Sequence, residues 1–455
     1  MVTHWVWLAL ALPVLAGQPV QEPDYQVYTD APRLLLNERR LRLLKRERER
    51  DSIRWQQFDS LMRGRARMSE PGFALALWGA VASQPGACRE AAEWAAKADA
   101  ADPRELRQMA LVYDWCQPAA GEALAQMIAR RLKPALDVRQ GDARQVRSVV
   151  FAAIALADAE PRASESALRF AVETWWGRSV APQLRRGGNP FRTREELYAM
   201  VELLHVVRDN LRIDLREGLA QWFEELPPLL ILSYYPQPWP APENEYRIPV
   251  YWTPGDPDLR EAMLARAAEL ALVAYDANAK AHQFLQGWLM IDRFLMRGEF
   301  GIPYEFLWAN PYQPGLSFTY MPDLFHGRGQ LLVRSGWDED AAWFGYLDGQ
   351  AQLFAGGKRI LVRPEAQPRP IDLGPVRILF APGGLRFETG WLPPPAEGER
   401  PVEEVAFVLG LEPGAQYEIE VDGEEMFEAE ADAGGILELR FLPGRKAGVR
   451  VRRAK

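Results

Sequence analysis

The sequence predicts an α+β protein in which an array of helices is followed by an antiparallel β-sandwich. Up to about residue 300 the chain is rich in Ala, Leu, Arg and Glu and is broken at short intervals by Pro and Gly. Beyond that point, short apolar runs alternate with Gly and Pro turns, which is typical of strands. We therefore expect a signal peptide over 1–17, a helical domain over 30–324 and a β domain over 325–455.

Composition limits the classes of function. The chain has 455 residues, of which 48% are hydrophobic and 25% charged, as in folded globular proteins. Its net charge of −8 argues against nucleic acid as a partner, because phosphate binding needs a surplus of cations. Its four His form no His-x-x-x-His pair, its two Cys form no Cys-x-x-Cys pair, and no Gly-rich nucleotide loop opens a helix. We expect no metal and no cofactor.

The first residues predict export. Trp5 to Ala16 is an apolar run of about a dozen residues, whereas a membrane-spanning helix needs about twenty. Small residues and then a polar stretch follow, which is the order of a secretory signal, although the region before the run has no Lys or Arg. The sequence predicts a secreted or periplasmic protein with no stable membrane insertion after cleavage.

The helical region is divided by residues that break helices. These breaks are Pro85-Gly86, Asp102-Pro103, Gln117-Pro118, Glu160-Pro161 and Gly187-Gly188. Between them lie patterns of helical length, which predict helices over 88–101, 103–116, 121–132, 144–157 and 163–177. Cys88 and Cys116 fall in this region, and either one disulfide or two separate buried thiols fits the sequence.

A Pro-rich, aromatic segment over 229–257 interrupts the helices. Long loops of this kind are either functional lids or straps whose rings pack on neighbouring helices, and both interpretations remain open. As binding candidates in this segment we take Trp239, Tyr246 and Trp252.

Two polar stripes are candidate binding surfaces. On a helix starting after Thr193, the residues Tyr198, Glu202 and His205 share one face. Farther along, Asn278, His282 and Gln286 recur at four-residue intervals. Each stripe is compatible with a sugar cleft, but the first also fits a buried core and the second a solvated face.

Several short strings, in order, resemble the heparinase II/III-like family. They are Ala31-Pro-Arg-Leu-Leu-Leu, Ala110-Leu-Val-Tyr-Asp-Trp-Cys, Arg186-Gly-Gly with Glu195 or Glu196 and Tyr198, Thr253-Pro-Gly-Asp256, and Arg334-Ser-Gly-Trp-Asp338. The resemblance implies that the helices form an (α/α) toroid of hairpins. It also implies a function in binding or cleaving acidic polysaccharide by β-elimination at uronic acids.

The resemblance also implies a role for Tyr198, which would be the base, with a pKa lowered by nearby cations. His205, on the same face of the predicted helix, is the second catalytic candidate. A cation would neutralise the uronate carboxylate. The residues expected to contact substrate are Arg185, Arg186, Asn189, Trp239, Tyr246, Trp252, Asn278 and His282.

The sequence also departs from the family pattern. The segment 347–357 contains no His where the family carries a His-rich stretch, the Asn-His pair of an inner helix is missing, and the β region is short. Three functions therefore remain: a divergent lyase, a catalytically inactive glycan-binding or scaffold protein of the same fold, and an inverting glycoside hydrolase. The hydrolase would use paired carboxylates among Glu243, Glu245, Asp256 and Asp258.

Overall fold

A computed structural model describes residues 24–238, 247–291, 296–310, 312–347, 349–363, 369–381 and 385–454. Helices occupy the N-terminal part and strands the C-terminal part, as the α+β prediction requires. The helices are α1 (Glu38–Glu49), α2 (Ile53–Arg63), α3 (Pro71–Ala82), α4 (Pro85–Ala95), α5 (Pro103–Ala120), α6 (Glu122–Leu132), α7 (Ala143–Ala155), α8 (Pro161–Arg169), α9 (Ala181–Arg185), α10 (Arg194–Leu211), α11 (Ala220–Leu232), α12 (Leu259–Tyr275), α13 (Lys280–Ile291) and α14 (Gly298–Trp308). A π-helical segment, Phe170–Val180, joins α8 to α9.

Local chemistry explains where most helices begin. Asp142 and Thr193 each form a capping box with the Gln or Glu three residues later, and Asp102 and Asp258 accept hydrogen bonds from the first turns of α5 and α12. Proline occupies the first position of α3, α4, α5 and α8, where its missing N–H is harmless.

Two predicted boundaries are wrong. Pro118 lies inside the last turn of α5 rather than ending the helix, and α11 continues to Leu232, so the aromatic segment starts later than residue 229. Pro227 and Pro228 remove two backbone hydrogen-bond donors from α11. The helix nevertheless continues, because the run Leu229–Leu232 is buried in helical form.

The helices pack as a series of neighbours in chain order. α3 packs on α4 and α5, α5 on α7, α7 on α10, α10 on α12, and α12 on α14. α14 in turn contacts α2 and α3, near the start of the series. A single apolar core runs through all these helices, and a disulfide between Cys88 and Cys116 links α4 to α5 within it.

The C-terminal part consists of three sheets. The strands are β1 (Leu324–Gly327), β2 (Gln330–Arg334), β3 (Trp343–Leu347), β4 (Gln350–Ala355), β5 (Lys358–Val362), β6 (Ile371–Leu373), β7 (Val376–Phe380), β8 (Leu385–Glu388), β9 (Glu404–Leu409), β10 (Gln416–Val421), β11 (Glu425–Glu430), β12 (Leu437–Phe441) and β13 (Gly448–Arg453). Sheet A is the meander β1-β2-β3-β4-β5, sheet B has the order β12-β9-β7-β6, and sheet C the order β11-β10-β13-β8.

The described strands pair antiparallel except for β7 and β9, which are parallel. The exception arises because the chain between them leaves sheet B to form β8 in sheet C. The expectation of a purely antiparallel region is therefore wrong at this one pair.

The buried side chains show how the sheets are stacked. Sheet B lies between the other two: along β9, Val405 and Phe407 join a core with sheet A, whereas Ala406 and Val408 join a core with sheet C. This explains why every residue of β9 is buried. The opposite face of sheet A packs on α11 and the segment after it, through residues such as Trp343. Sheet A is therefore the layer that meets the helices.

No helix in the described part of the chain combines the length and the apolar character needed to cross a bilayer.

Candidate functional site at the junction of helices and sheet

The predicted catalytic stripe lies inside the helical core. Tyr198, Glu202 and His205 share one face of α10, as their spacing predicts, and all three are buried. The Tyr198 hydroxyl accepts a hydrogen bond of 2.9 Å from the indole N–H of Trp308. Burial, together with the charge of Glu202, raises the pKa of Tyr198 well above its ordinary value instead of lowering it.

The charges beside Tyr198 are fully engaged with one another. Glu202 accepts hydrogen bonds from Arg107 on α5 at 2.5 Å and from Arg147 on α7 at 2.9 Å. Burial opposes ionisation of Glu202, but the two guanidinium groups outweigh it and lower the pKa of that carboxyl. Arg107 also reaches Glu70 at 3.3 Å, and Glu70 accepts from the hydroxyl of Tyr304 at 2.7 Å. This network joins four helices, and its outermost carboxylate, Glu70, also lines a cavity of about 280 Å³ at the start of α3.

His205 is neutral in this environment. Its Nε2 lies 2.8 Å from the carbonyl oxygen of Ala271 on α12, and burial lowers the pKa of the imidazole to about 3. A general base must come within hydrogen-bonding distance of the proton that it removes. A catalytic role for Tyr198 or His205 therefore stays a prediction, one that requires substrate to reach side chains that are at most 4% exposed.

A large cavity lies where the helices meet sheet A. This junction cavity has a volume of about 1060 Å³ and is bounded by the residues after α10, the first half of α11, the start of α13 and the segment leading into β1. Much of its wall is apolar and aromatic, including Phe223, Phe284, Tyr320 and Phe325. Tyr320 is 85% exposed, so its ring is available to a ligand.

One part of the cavity wall is ionised and cross-linked. Arg216 lies 3.1 Å from Asp214 and 3.2 Å from Asp276, and it joins the chain after α10 to the turn before α13. The pKa of Asp214 is lowered, because Arg216 and the hydroxyl of Tyr275 outweigh the effect of its burial. Asp214 is thus an ionised acceptor, and the oxygens of both carboxylates suit hydroxyl donors.

Among the predicted binding residues that the structure describes, His282 alone lines the junction cavity. It is 2% exposed, and burial lowers the pKa of its imidazole to about 4, so the ring is neutral near pH 7. Within the described residues its Nδ1 has no hydrogen-bond partner.

A smaller cavity, which we call the arginine pocket, adjoins the first. It has a volume of about 360 Å³ and shares Gly218, Ala220 and Glu225 with the junction cavity. Arg185 and Arg186 line it, as does Arg328 from the turn between β1 and β2. The sequence predicted the first two as binding residues, and the structure places them together with a third guanidinium.

Arg328 is held firmly in the pocket. Its guanidinium lies over the ring of Trp222 at 4.6 Å, donates to the Trp222 carbonyl oxygen at 2.6 Å and donates to Glu225 at 3.1 Å. The side chain is 3% exposed, whereas the backbone adopts a φ of +58° in the hairpin turn. Burial lowers the pKa of Arg328, and Glu225 opposes that shift.

The remaining predicted residues lie elsewhere or outside the described residues. Asn189 is exposed, and its Oδ1 accepts from the backbone N–H of Phe191. Trp252 packs, half-buried, against the core between sheet A and α11. Asn278 is exposed in the turn before α13, so its predicted place on that helix is wrong. Trp239 and Tyr246, like Glu243 and Glu245, lie outside the described residues.

The aromatic segment after α11 packs as a strap where it is described. The hydroxyl of Tyr234 donates to Glu269 at 2.6 Å, and that of Tyr235 donates to Gln352 of β4 at 2.7 Å. Tyr235 also stacks on Phe354, with ring centroids 5.1 Å apart. These rings attach the segment to α12 and to sheet A rather than to a cavity.

Sequence reasoning missed Arg216, Tyr320 and Arg328. Only Arg328 carried a usable signal, because Gly327-Arg328-Gly329 is a hairpin turn that presents its central side chain next to the start of the sheet domain. The other two belong to irregular segments whose partners come from distant parts of the chain.

No group of three or more His, Cys, Asp and Glu side chains placed to hold a metal ion occurs among the described residues. The chain matches no protein-family model and no curated protein sequence.

Proposed function

We propose that this protein is an exported glycan-binding protein whose junction cavity holds a segment of polysaccharide chain, with an acidic group of that chain in the arginine pocket. The observation that carries the proposal is that two cavities of different size and lining adjoin each other. One is large with an aromatic wall, and the other is small and lined by three arginines. Sugar rings pack on aromatic faces through their C–H groups, while their carboxylates or sulfates pair with guanidinium groups.

The polar groups of the junction cavity suit sugar hydroxyls. The carboxylate oxygens of Asp214 and Asp276 are hydrogen-bond acceptors that Arg216 holds in place. Ligand sites are commonly apolar cavities with a few fixed polar groups of this kind.

The order of helix packing supports an (α/α) toroid. The series α3, α5, α7, α10, α12 and α14 returns to its start, while α4, α6, α11 and α13 lie between successive members in the chain. The stacked sheets A, B and C in turn support a sandwich-type β domain with one layer more than the sequence suggests.

The apolar N-terminal run and the Cys88–Cys116 disulfide support export, because disulfides persist in oxidising compartments. Of the functions compatible with the sequence, binding without cleavage fits the geometry best, since Tyr198 and His205 lie in the helical core.

Calorimetric titration with neutral and acidic oligosaccharides tests the proposal. We expect binding by the native protein and a loss of about five- to tenfold in affinity for Tyr320→Ala, because the variant loses an exposed stacking surface. Tyr28→Ala is the matched control, since Tyr28 is also exposed, at 46%, but lies outside both cavities.

The same samples test for cleavage. Absorbance from an unsaturated uronate that disappears in Tyr198→Phe would replace the binding proposal with the lyase function. Failure of every oligosaccharide to bind the native protein would refute the proposal.

A further inference from the structure

The arginine pocket contains cations without counter-ions. Arg185 and Arg186 are exposed, and within the described residues neither side chain makes an ion pair or hydrogen bond. A Cβ atom on Gly218 would lie 4.0 Å from Nη2 of Arg185, which places that guanidinium against the backbone just before α11. Of the carboxylates that the structure describes, only Glu225 lies on the pocket wall.

The first turn of α11 adds backbone donors to the same pocket. The residue before the helix is Leu219, whose side chain cannot cap it, and Ala220, Gln221 and Trp222 line the pocket. The first backbone hydrogen bond of the helix comes from Phe223 to Leu219. The preceding N–H groups and the positive end of the helix dipole therefore favour an anion.

Arg328 provides an independent indication of a ligand. Its side chain is 3% exposed and lines the pocket, but its Nη1 has no hydrogen-bond partner among the residues that the structure describes. A buried donor of a charged group is unfavourable without a hydrogen-bond partner, and an oxyanion in the pocket would supply that partner.

The neighbouring junction cavity has the opposite charge. Among the described residues, its wall carries five carboxylates but only two cations, Arg216 and Lys280. Two of the carboxylates, those of Glu217 and Glu224, are exposed and make no ion pair with a described residue. Like charges a few ångströms apart repel each other even in water. Each additional anionic group placed in this cavity would therefore weaken binding.

We propose that the arginine pocket binds one carboxylate or sulfate group of a glycan and that the carboxylates of the junction cavity select neutral sugars beside it. This inference rests on the proposed function. It identifies the ligand as a sparsely charged polysaccharide, in which acidic and neutral sugars alternate, and it excludes chains that carry a charge on every sugar.

Calorimetry with two oligosaccharides of equal length tests whether the junction cavity prefers neutral sugars. One comes from hyaluronan, which has one carboxylate per disaccharide, and the other from polygalacturonate, which has a carboxylate on every sugar. We expect hyaluronan to bind at least about tenfold more tightly. The variant Glu217→Gln/Glu224→Gln should narrow that difference by improving binding of polygalacturonate. Equal affinities for the two native-protein complexes would overturn the inference while leaving the proposed function intact.

Substitution of the exposed cations tests the pocket. Arg185→Gln/Arg186→Gln should weaken hyaluronan binding by at least about tenfold, because charge-assisted hydrogen bonds are lost. Both side chains are exposed and unpaired in the described structure, so the variant should fold. Arg89→Gln on α4 is the matched control, since Arg89 is also exposed and lines neither cavity. Unchanged affinity in the double variant would overturn the inference.

Sodium sulfate provides a glycan-free measurement. At constant ionic strength, sulfate should raise the melting temperature of the native protein and of Arg89→Gln more than that of Arg185→Gln/Arg186→Gln. If sulfate discriminates in this way but no oligosaccharide binds, the proposed function fails and the pocket remains as an oxyanion site. If sulfate raises all three melting temperatures equally, the pocket assignment is overturned.

Discussion

The helical core and the junction cavity both contain charged side chains, but they differ in how those charges are paired. In the core, the carboxylate of Glu202 is held by Arg107 and Arg147, and the surrounding hydroxyls have protein partners. In the junction cavity, Glu217 makes no ion pair with a described residue, and the same is true of Arg185 and Arg186 in the adjoining arginine pocket. Buried polar groups that satisfy one another stabilise a fold, whereas accessible groups that lack partners are available to a ligand.

This contrast changes the interpretation of the polar face of α10 that contains Tyr198, Glu202 and His205. Polar residues on one helix face suggest a site when only the sequence is known, but the same face can be the place where neighbouring helices exchange charges. The difference between the two regions can be tested by removing charges or hydroxyls from each and comparing the stability of the protein with its binding of ligand.

The largest effect is expected for Glu202→Gln. This substitution leaves two guanidinium groups buried without their main counter-ion, and breaking a buried pair in this way costs about 3–5 kcal/mol. Urea unfolding monitored by circular dichroism measures the loss. Glu217→Gln at the junction is the control, for which we expect a change within about 0.5 kcal/mol because Glu217 is exposed. Similar stabilities for the two variants would contradict the distinction between the regions.

Removal of the disulfide should have the next largest effect. Cys88 and Cys116 are 28 residues apart, and closing a loop of that length stabilises a protein by about 3 kcal/mol through the unfolded state. We expect Cys88→Ser/Cys116→Ser to unfold at lower urea concentration and to bind oligosaccharide unchanged. Loss of binding in folded protein would show that the helical core and the junction are coupled.

A pH-dependent contribution is expected from His326 in β1, next to the turn that carries Arg328. Burial opposes protonation of His326, but hydrogen bonds to Asp432 and Glu438 outweigh it and raise the pKa to about 9. The unfolded residue titrates near 6.5, so the contribution of about 3 kcal/mol is complete below that pH and is lost as pH rises through about 9.

Unfolding free energies between pH 6 and pH 10 measure this effect. His326→Gln should lack the decline that the native protein shows over that range. If the two curves run parallel, His326 is not the group responsible and the attachment of β1 to β12 does not depend on its charge.

The smallest effect on stability is expected for Tyr198→Phe. The variant loses one hydrogen bond with Trp308, and we expect a loss of about 1 kcal/mol in unfolding free energy with no change in oligosaccharide affinity. A reduced affinity at unchanged stability would instead place Tyr198 in the binding site and would contradict its assignment to the core.

Much of the secondary structure follows from local signals. Asp102-Pro103 and Glu160-Pro161 mark true helix starts, and the strand-like runs from Gln330 onward form strands. The prediction of a break at Pro118 is wrong, because α5 continues through this proline to Ala120 although Pro118 removes one intrahelical hydrogen-bond donor. For the site, the sequence identified Arg185, Arg186 and His282, which line the two cavities, but it did not identify Arg328 or Tyr320.

The sequence by itself determined which residues share a face, because helical and strand periods are local properties of the chain. Only the tertiary structure decided what each face meets. Arg107 and Glu202 are 95 positions apart, and Arg328 reaches Glu225 across 103 positions. Such pairings depend on how helices and sheets stack, since stacking determines whether a charge is buried against a partner or left facing a cavity.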